Sequence, residues 1–241
     1  MSASGSEFWK NRAENYNKTS WVKNDDFINS FLELLPHKNF KDILEVGVGT
    51  GAVATKMVQI FDSVIGLDSS QEMMDSINNP KITTVLGDAH SLPFNSNQFD
   101  LIYMRNVVHY LNDAQKCFNE ILNCLKPNGY FLFSQVVPFE DSISEEYDWL
   151  IGRNIHYPTQ TEILNWMNSF SILKKDYFIL KSQSIMNWLN NTAKNQDEIE
   201  KSIQRHESTS SNYKSLVKYK QENDDLFVDI KHFMVLCQKT E

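Results

Sequence analysis

The stretch that decides the fold is Asp42-Ile43-Leu44-Glu45-Val46-Gly47-Val48-Gly49-Thr50-Gly51. Its first part is a short apolar run with the length of a buried strand, read over Asp42–Val48. The run breaks into three glycines at alternate positions, and a helical stretch follows to about Ile60. Glycines let the chain turn sharply and let a ligand approach the backbone closely. The helix after such a turn points its first amides into the same crevice. Strand, glycine turn and helix together describe many nucleotide sites, and the spacing narrows the choice. A dinucleotide fingerprint reads GxGxxG, whereas Gly47-Val48-Gly49-Thr50-Gly51-Ala52 brings its third glycine one residue too early.

Outward from this turn, apolar runs and helical stretches alternate. Val64–Asp68, Ile82–Leu86 and Phe99–Met104 read as three further buried strands, and Ser69-Ser70-Gln71-Glu72 has the form of a capping box for a helix. Ala114, Cys117, Phe118, Ile121, Leu122 and Leu125 recur at intervals of three and four and mark one helical face. Lys126-Pro127-Asn128-Gly129 stops that helix, and Tyr130–Val137 is a fifth, continuously apolar strand. Runs apolar on both faces belong in a parallel sheet covered by helices, and right-handed crossovers make it doubly wound. The expected fold class is α/β.

The flanks are less regular. Phe8 to Leu35 is rich in aromatic residues, and positions 27, 28, 31, 32, 34 and 35 have helical spacing up to Pro36. Phe139–Pro158 is acidic and aromatic, and Thr159-Gln160-Thr161-Glu162 caps a helix through about Ser169. Phe170–Ser182 and Leu226–Gln238 read as the last two strands. The long polar segment between them, Ser184–Asp225, reads as mostly helical, either a lid or a solvated insertion.

Composition limits the function classes. With 241 residues, 41% hydrophobic and 22% charged, the chain suits one folded α/β domain and not a disordered one. A net charge of −8 argues against a nucleic-acid partner, which usually requires a basic face. Cys117, Cys124 and Cys237 form no CxxC pair, so buried free thiols are expected, with no metal and a cytoplasmic setting. No apolar run approaches the ~20 residues that span a bilayer.

Acids complete the candidate site. Glu45 stands two residues before Gly47, Asp68 ends the second strand, and Asp88 follows the third in Gly87-Asp88-Ala89. Asp68 is placed to accept hydrogen bonds from ribose hydroxyls, and Asp88 from an adenine amino group. S-adenosylmethionine carries a sulfonium and an ammonium but no pyrophosphate, so an acidic loop suits it better than an anion cradle.

On these residues the chain resembles the class I S-adenosylmethionine-dependent methyltransferases, particularly the small-molecule branch that includes the ubiquinone/menaquinone C-methyltransferases. The resemblance runs from about Phe8 to Val137. It rests on Glu45-x-Gly47-x-Gly49-x-Gly51, Gly66-Leu67-Asp68-Ser69-Ser70, Gly87-Asp88-Ala89 with Leu92-Pro93-Phe94, Phe99-Asp100-Leu101-Ile102, and Leu125-Lys126-Pro127-Asn128-Gly129, in that order. It implies a Rossmann-like sheet of seven strands, the last antiparallel, with S-adenosyl-L-methionine over the C-terminal ends of strands one to four. The chain then divides into a helical lid over 8–36, a cofactor-binding core over 40–138, and acceptor-side insertions over 139–160 and 184–225, all within one domain.

Carried over by residue, the resemblance implies that Gly47, Gly49 and Gly51 line the methionine moiety, beside Glu45. Asp68 with Ser69 binds ribose, Met73 packs beside adenine, and Asp88 with Ala89 holds the adenine edge. Trp9, Arg12 and Tyr16 either close over the cofactor or pack as a plain N-terminal helix. Arg105 and Asn106 occupy the place of an Arg-Asn pair thought to help remove the acceptor proton. His109 is either a base of near-neutral pKa or a packing residue. His156, Tyr157 and Trp149 are further pocket candidates.

The expected reaction is methyl transfer to a small molecule, at oxygen, nitrogen or activated carbon, by a monomer or homodimer. No Asn/Asp-Pro-Pro-Tyr tetrapeptide follows the fourth strand, which argues against a nucleobase amino group as acceptor. Two other readings stay open: an S-adenosylmethionine-binding protein with a regulatory or non-methylating role, and an NAD-dependent oxidoreductase, which the glycine spacing opposes.

Overall fold

The strand Phe99–Arg105 shows how the sheet forms its two cores. Leu101 and Tyr103 are buried against one layer of helices, and Ile102 and Met104 against the other, because successive side chains of a strand point to opposite faces. The computed structural model describes residues 15, 18–20, 22–152 and 155–240. Within them β1 (Ile43–Val46), β2 (Val64–Asp68), β3 (Ile82–Leu86), β4 (Phe99–Arg105) and β5 (Leu125–Val136) pair in parallel in the order β3-β2-β1-β4-β5. The sheet continues through β8 (Asp225–Gln238) to β6 (Ser171–Ser184), and β8 runs antiparallel to both β5 and β6.

This is the expected doubly wound α/β sheet with its last strand antiparallel. One strand was not anticipated. Lys220–Glu222, β7, forms a short hairpin with the start of β8, making eight strands instead of seven. α1 (Asp25–Leu32) precedes β1, and between the strands lie α2 (Ala52–Ile60), α3 (Gln71–Met74), α4 (Ala114–Cys124), α5 (Ser144–Ile151) and α6 (Gln160–Trp166). The polar excursion folds as α7 (Ile185–Thr192), α8 (Gln196–Ser208) and α9 (Ser211–Leu216).

Caps follow the sequence with one displacement. Asn24 accepts from the Phe27 amide at the head of α1, and Thr159 with Glu162 forms a complete capping box on α6. At α3 the capping residue is Ser70, not Ser69 as the box predicts. Its hydroxyl accepts from the Met73 amide, and Glu72 sits one position too early to close the box.

Packing on the two faces is unequal in kind. One face holds α4 and α6, with Phe118, Ile121 and Ile163 on Phe131 and Phe133. The other holds α1 and α2 and, farther along the sheet, α7 and α9, through Leu189 and Tyr213. α8 packs on α5 and α7. All three cysteines are buried and unpaired. Among the described residues no helix is long and apolar enough to cross a membrane.

Candidate active site

The site begins where β1 and β2 end side by side. The amides of Gly47 and Val48 both donate to the Leu67 carbonyl, at 2.7 and 3.0 Å. This bends the chain off the sheet, and Gly47 takes it through a left-handed φ of 76°, a conformation that costs an L-residue energy. A methyl group there would meet Val107 Cγ2 at 2.2 Å, so the glycine serves both backbone and space. Gly51, at φ 77°, stands at the head of α2 with no side-chain cap.

Asp68, at the end of β2, ties the two turns together. Its Oδ2 accepts from the Gly49 amide at 2.8 Å and its Oδ1 from the Ser70 amide at 3.0 Å. Burial raises the carboxyl above its ordinary value, while the amide bonds pull it back down. Ser69 and buried Met73 lie along the same wall.

Glu45 is buried under the glycine loop, where it accepts from the Tyr103 hydroxyl at 2.8 Å. Desolvation pushes its carboxyl up to about 8, against the lowering pull of that hydrogen bond and of the Arg105 charge. Asp88 behaves in the opposite way. It is 68% exposed and pairs with the His90 ring at 2.7 Å, and the His90 amide, with that ring, holds it below the usual carboxylate range.

These groups surround a cavity of about 670 Å³, within the roughly 300–1,000 Å³ of a small-molecule cleft. Glu45, Gly47, Gly49, Asp68, Ser69, Met73, Asp88, Ala89, Arg105 and Asn106 all line it. Gly51 sits just behind, its would-be Cβ against Ile77. Trp9, Arg12 and Tyr16 lie outside the described residues. Arg105 reaches across the mouth, where Nη1 donates to the Val22 carbonyl at 2.8 Å and the guanidinium sits 4.4 Å from the Phe27 ring centre.

His109 is not part of this cavity. It lines a second, smaller one of about 90 Å³, together with Tyr157, which stacks on it at 4.7 Å with planes 14° apart. The two cavities share Asn106 and Tyr110 as a common wall. Asn106 is held in the left-handed region at φ 55°, and its side chain caps the Val136 amide at 3.0 Å. His156 and Trp149 do not line either cavity. His156 is half-exposed between Asp148 and Glu162, and Trp149 is half-exposed on α5.

Sequence reasoning missed the far wall of the second cavity. Trp188 on α7, His206 on α8 and Tyr213 on α9 face it, and all three come from a segment that reads only as polar and helical. It also missed His232 on β8, wholly buried behind Asn106 at 3.4 Å, where burial holds it well below its ordinary pKa.

The groups around the large cavity fit S-adenosylmethionine. Its hydroxyls and amino groups need acceptors, which Asp68 and Asp88 supply. At Gly49 a Cβ would meet only Met73 Cε at 3.5 Å, so the backbone there is open to the cavity that both residues line.

Comparison with known proteins agrees. The family model described as a methyltransferase domain matches residues 44–133. The chain is 26% identical over 155 residues to an uncharacterized methyltransferase, YcgJ, of Bacillus subtilis, covering 61% of this chain and 59% of that protein. It is 28% identical over 148 residues to phthiotriol/phenolphthiotriol dimycocerosates methyltransferase 1 of Mycobacterium ulcerans, covering 58% and 54%. The matched region thus spans little more than half the length of these relatives. In fold, a putative methyltransferase of Bacillus halodurans superposes with a TM-score of 0.80 at 16% identity, over 90% of this chain and 100% of that one. The motif residues stand at the ends of β1, β2 and β3, and residues 44–133, which hold them, match a methyltransferase domain, of the S-adenosylmethionine-dependent type.

Proposed function

We propose that this protein transfers a methyl group from S-adenosylmethionine to a small-molecule acceptor. One observation carries the reading: a large cavity lined by the glycine turn and three strand-end acids meets a small aromatic one across a single wall, Asn106 and Tyr110. When bound, S-adenosylmethionine supplies a methyl carbon already activated by its sulfonium. What remains for the protein is alignment and the exclusion of water.

The residues divide this work. Gly47 and Gly49 leave the backbone open to the methionine end, and Asp68 and Asp88 take the ribose and adenine. Glu45 places a buried acid under the turn. Met73 and Ala89 give apolar contact. Arg105 pins Val22, and with it the chain entering α1, over the cavity mouth.

Asn106, Arg105 and His109 form the acceptor-facing set. Burial lowers His109 to about 4, so its ring is neutral at ordinary pH. Its Nδ1 lies 2.8 Å from the Gln135 amide nitrogen, which also donates to the Val136 carbonyl at 3.2 Å. An amide nitrogen only donates, so His109 Nδ1 accepts and Nε2 carries the proton. In this form His109 positions an acceptor by donating to it, and removal of a proton requires the other tautomer.

The test is to incubate purified protein with S-adenosylmethionine and a panel of small molecules and to follow S-adenosylhomocysteine. Release that depends on an added acceptor supports the reading. Binding of both nucleosides without turnover of any acceptor favours the regulatory or non-methylating alternative. No binding of either nucleoside overturns the proposal.

A further inference from the structure

The second cavity has a chemical character of its own. Tyr157 lies flat on His109, and the Tyr147 ring meets Tyr157 edge-on at 5.4 Å, so the wall presents a cluster of rings against which another aromatic group can pack. Among its described lining residues none is a carboxylate, lysine or arginine.

Three of the polar groups on this wall, His206, His109 and Thr19, bear on a ligand, and the two histidines have fixed roles. His206 Nδ1 lies 2.7 Å from the Ser202 carbonyl. A carbonyl only accepts, so Nδ1 carries the proton and Nε2 is left as a hydrogen-bond acceptor. Burial lowers His206 to about 4, as it does His109; both rings are neutral, one offering an acceptor nitrogen and the other a donor. The third group is the Thr19 hydroxyl, which is buried, lines the cavity and has no hydrogen-bond partner among the described residues. A buried hydroxyl without a partner is costly, and a bound polar ligand would relieve it.

We infer that this cavity binds an uncharged aromatic molecule through a hydroxyl group, which donates to Nε2 of His206 and accepts from Nε2 of His109. The inference rests on reading the cavity as the acceptor site of the proposed methyl transfer. At about 90 Å³ the cavity is smaller than the ~150 Å³ that admits benzene in an engineered protein interior. It therefore takes the hydroxyl-bearing edge of a ring, with the rest of the molecule toward Asn106 and Tyr110. His206 acts here as a positioning and specificity residue, contributed by the excursion between β6 and β8.

Three probes of similar shape test this: p-cresol, toluene and p-toluate, titrated into the full chain and followed by protein NMR. One net hydrogen bond is worth roughly 1 kcal/mol, so p-cresol is expected to bind about five- to tenfold more tightly than toluene. Charged p-toluate is expected to bind more weakly than either. His206→Phe should abolish the preference for p-cresol while leaving toluene binding, and His206→Gln, whose side-chain oxygen replaces Nε2, should restore part of it. Equal binding of p-cresol and toluene to the wild type, or tightest binding of p-toluate, overturns the inference without depending on any variant folding. Titration with S-adenosylhomocysteine separates the two proposals. If it binds and the p-cresol preference is absent, only the inference fails; if it does not bind and the preference is present, only the methyl-transfer reading fails.

Discussion

The hydroxyl of Tyr103 on β4 donates to the carboxyl of Glu45 on the neighbouring strand β1 at 2.8 Å, both side chains being buried beneath the glycine turn. Burial raises Glu45 to about 8 from an ordinary 4.5. Between these values the folded chain holds a proton that the unfolded chain has released, so stability falls as pH rises from 4.5 to 8. Glu45→Gln, neutral throughout, is expected to remove this slope and to gain up to about 5 kcal/mol over the wild type at pH 9. Urea unfolding of both proteins at pH 5, 7 and 9 checks it. Parallel pH profiles would show that Glu45 ionises normally.

Buried histidines give the opposite slope on the acid side. His109 and His206 are both lowered to about 4, and His232 is also held down, in each case chiefly by desolvation. The unfolded chain takes up protons below about 6.5 where the folded chain does not, so stability is lost as pH falls from 6.5 toward 4. Each of the two rings lowered to about 4 contributes up to ~3 kcal/mol to this loss. His206→Gln should make the acid limb of the unfolding profile shallower, and an unchanged limb would mean that the ring is protonated in place.

Asp68 and Asp88 should differ in their effect on cofactor affinity. Asp68 holds two backbone amides as well as facing the cavity, so Asp68→Ala loosens the turn and removes a ligand contact together. Calorimetric titration with S-adenosylhomocysteine should show at least a tenfold loss, about 1.4 kcal/mol or more. Asp88→Ala, at an exposed carboxylate, should lose less. Equal losses would remove the argument from burial.

Gly47 offers a double-mutant test. An alanine there combines a left-handed φ with a methyl group 2.2 Å from Val107 Cγ2, and should cost roughly 1–3 kcal/mol in stability. Val107→Ala added to Gly47→Ala should recover the steric part and leave the backbone part. No recovery would mean that the backbone conformation alone accounts for the cost.

The legible parts of the molecule were those set by local pattern. The bounds of β2 and β3 coincide with their apolar runs, Val64–Asp68 and Ile82–Leu86, and the α6 capping box lies where Thr159 and Glu162 predict. Nine of the residues proposed for the cofactor, Glu45, Gly47, Gly49, Asp68, Ser69, Met73, Asp88, Ala89 and Arg105, stand around one cavity because neighbouring strand ends, and the helix after β2, bring them there. His206 was illegible. It lies on α8, whose sequence is almost wholly polar, and it is buried with Ser202 one turn away. That face turns inward where α5 and α7 pack on it, and its apolar stripe is only the pair Ile199 and Ile203, too short to mark His206 for burial. The α3 cap shifted by one residue for a related reason. Asp68 captures the Ser70 amide, and the helix starts after the residue thus fixed.

The place of β8 in the sheet bears on how a growing chain can acquire this structure. β6 pairs along its fourteen residues with β8, and among the described residues with no other strand. On the ribosome, β1 to β5 and the nucleoside-binding turn can assemble while the C-terminal segment is still being made. β6 must wait, its edge bare, until residues 225–238 emerge and slip between it and β5. The late arrival of this one strand also brings the excursion helices into position, so the smaller cavity they line should be the last part of the molecule to close. Pulse-labelled hydrogen exchange during refolding should protect β1 and β4 before β6. Chains cut short before residue 225 should aggregate through that waiting edge.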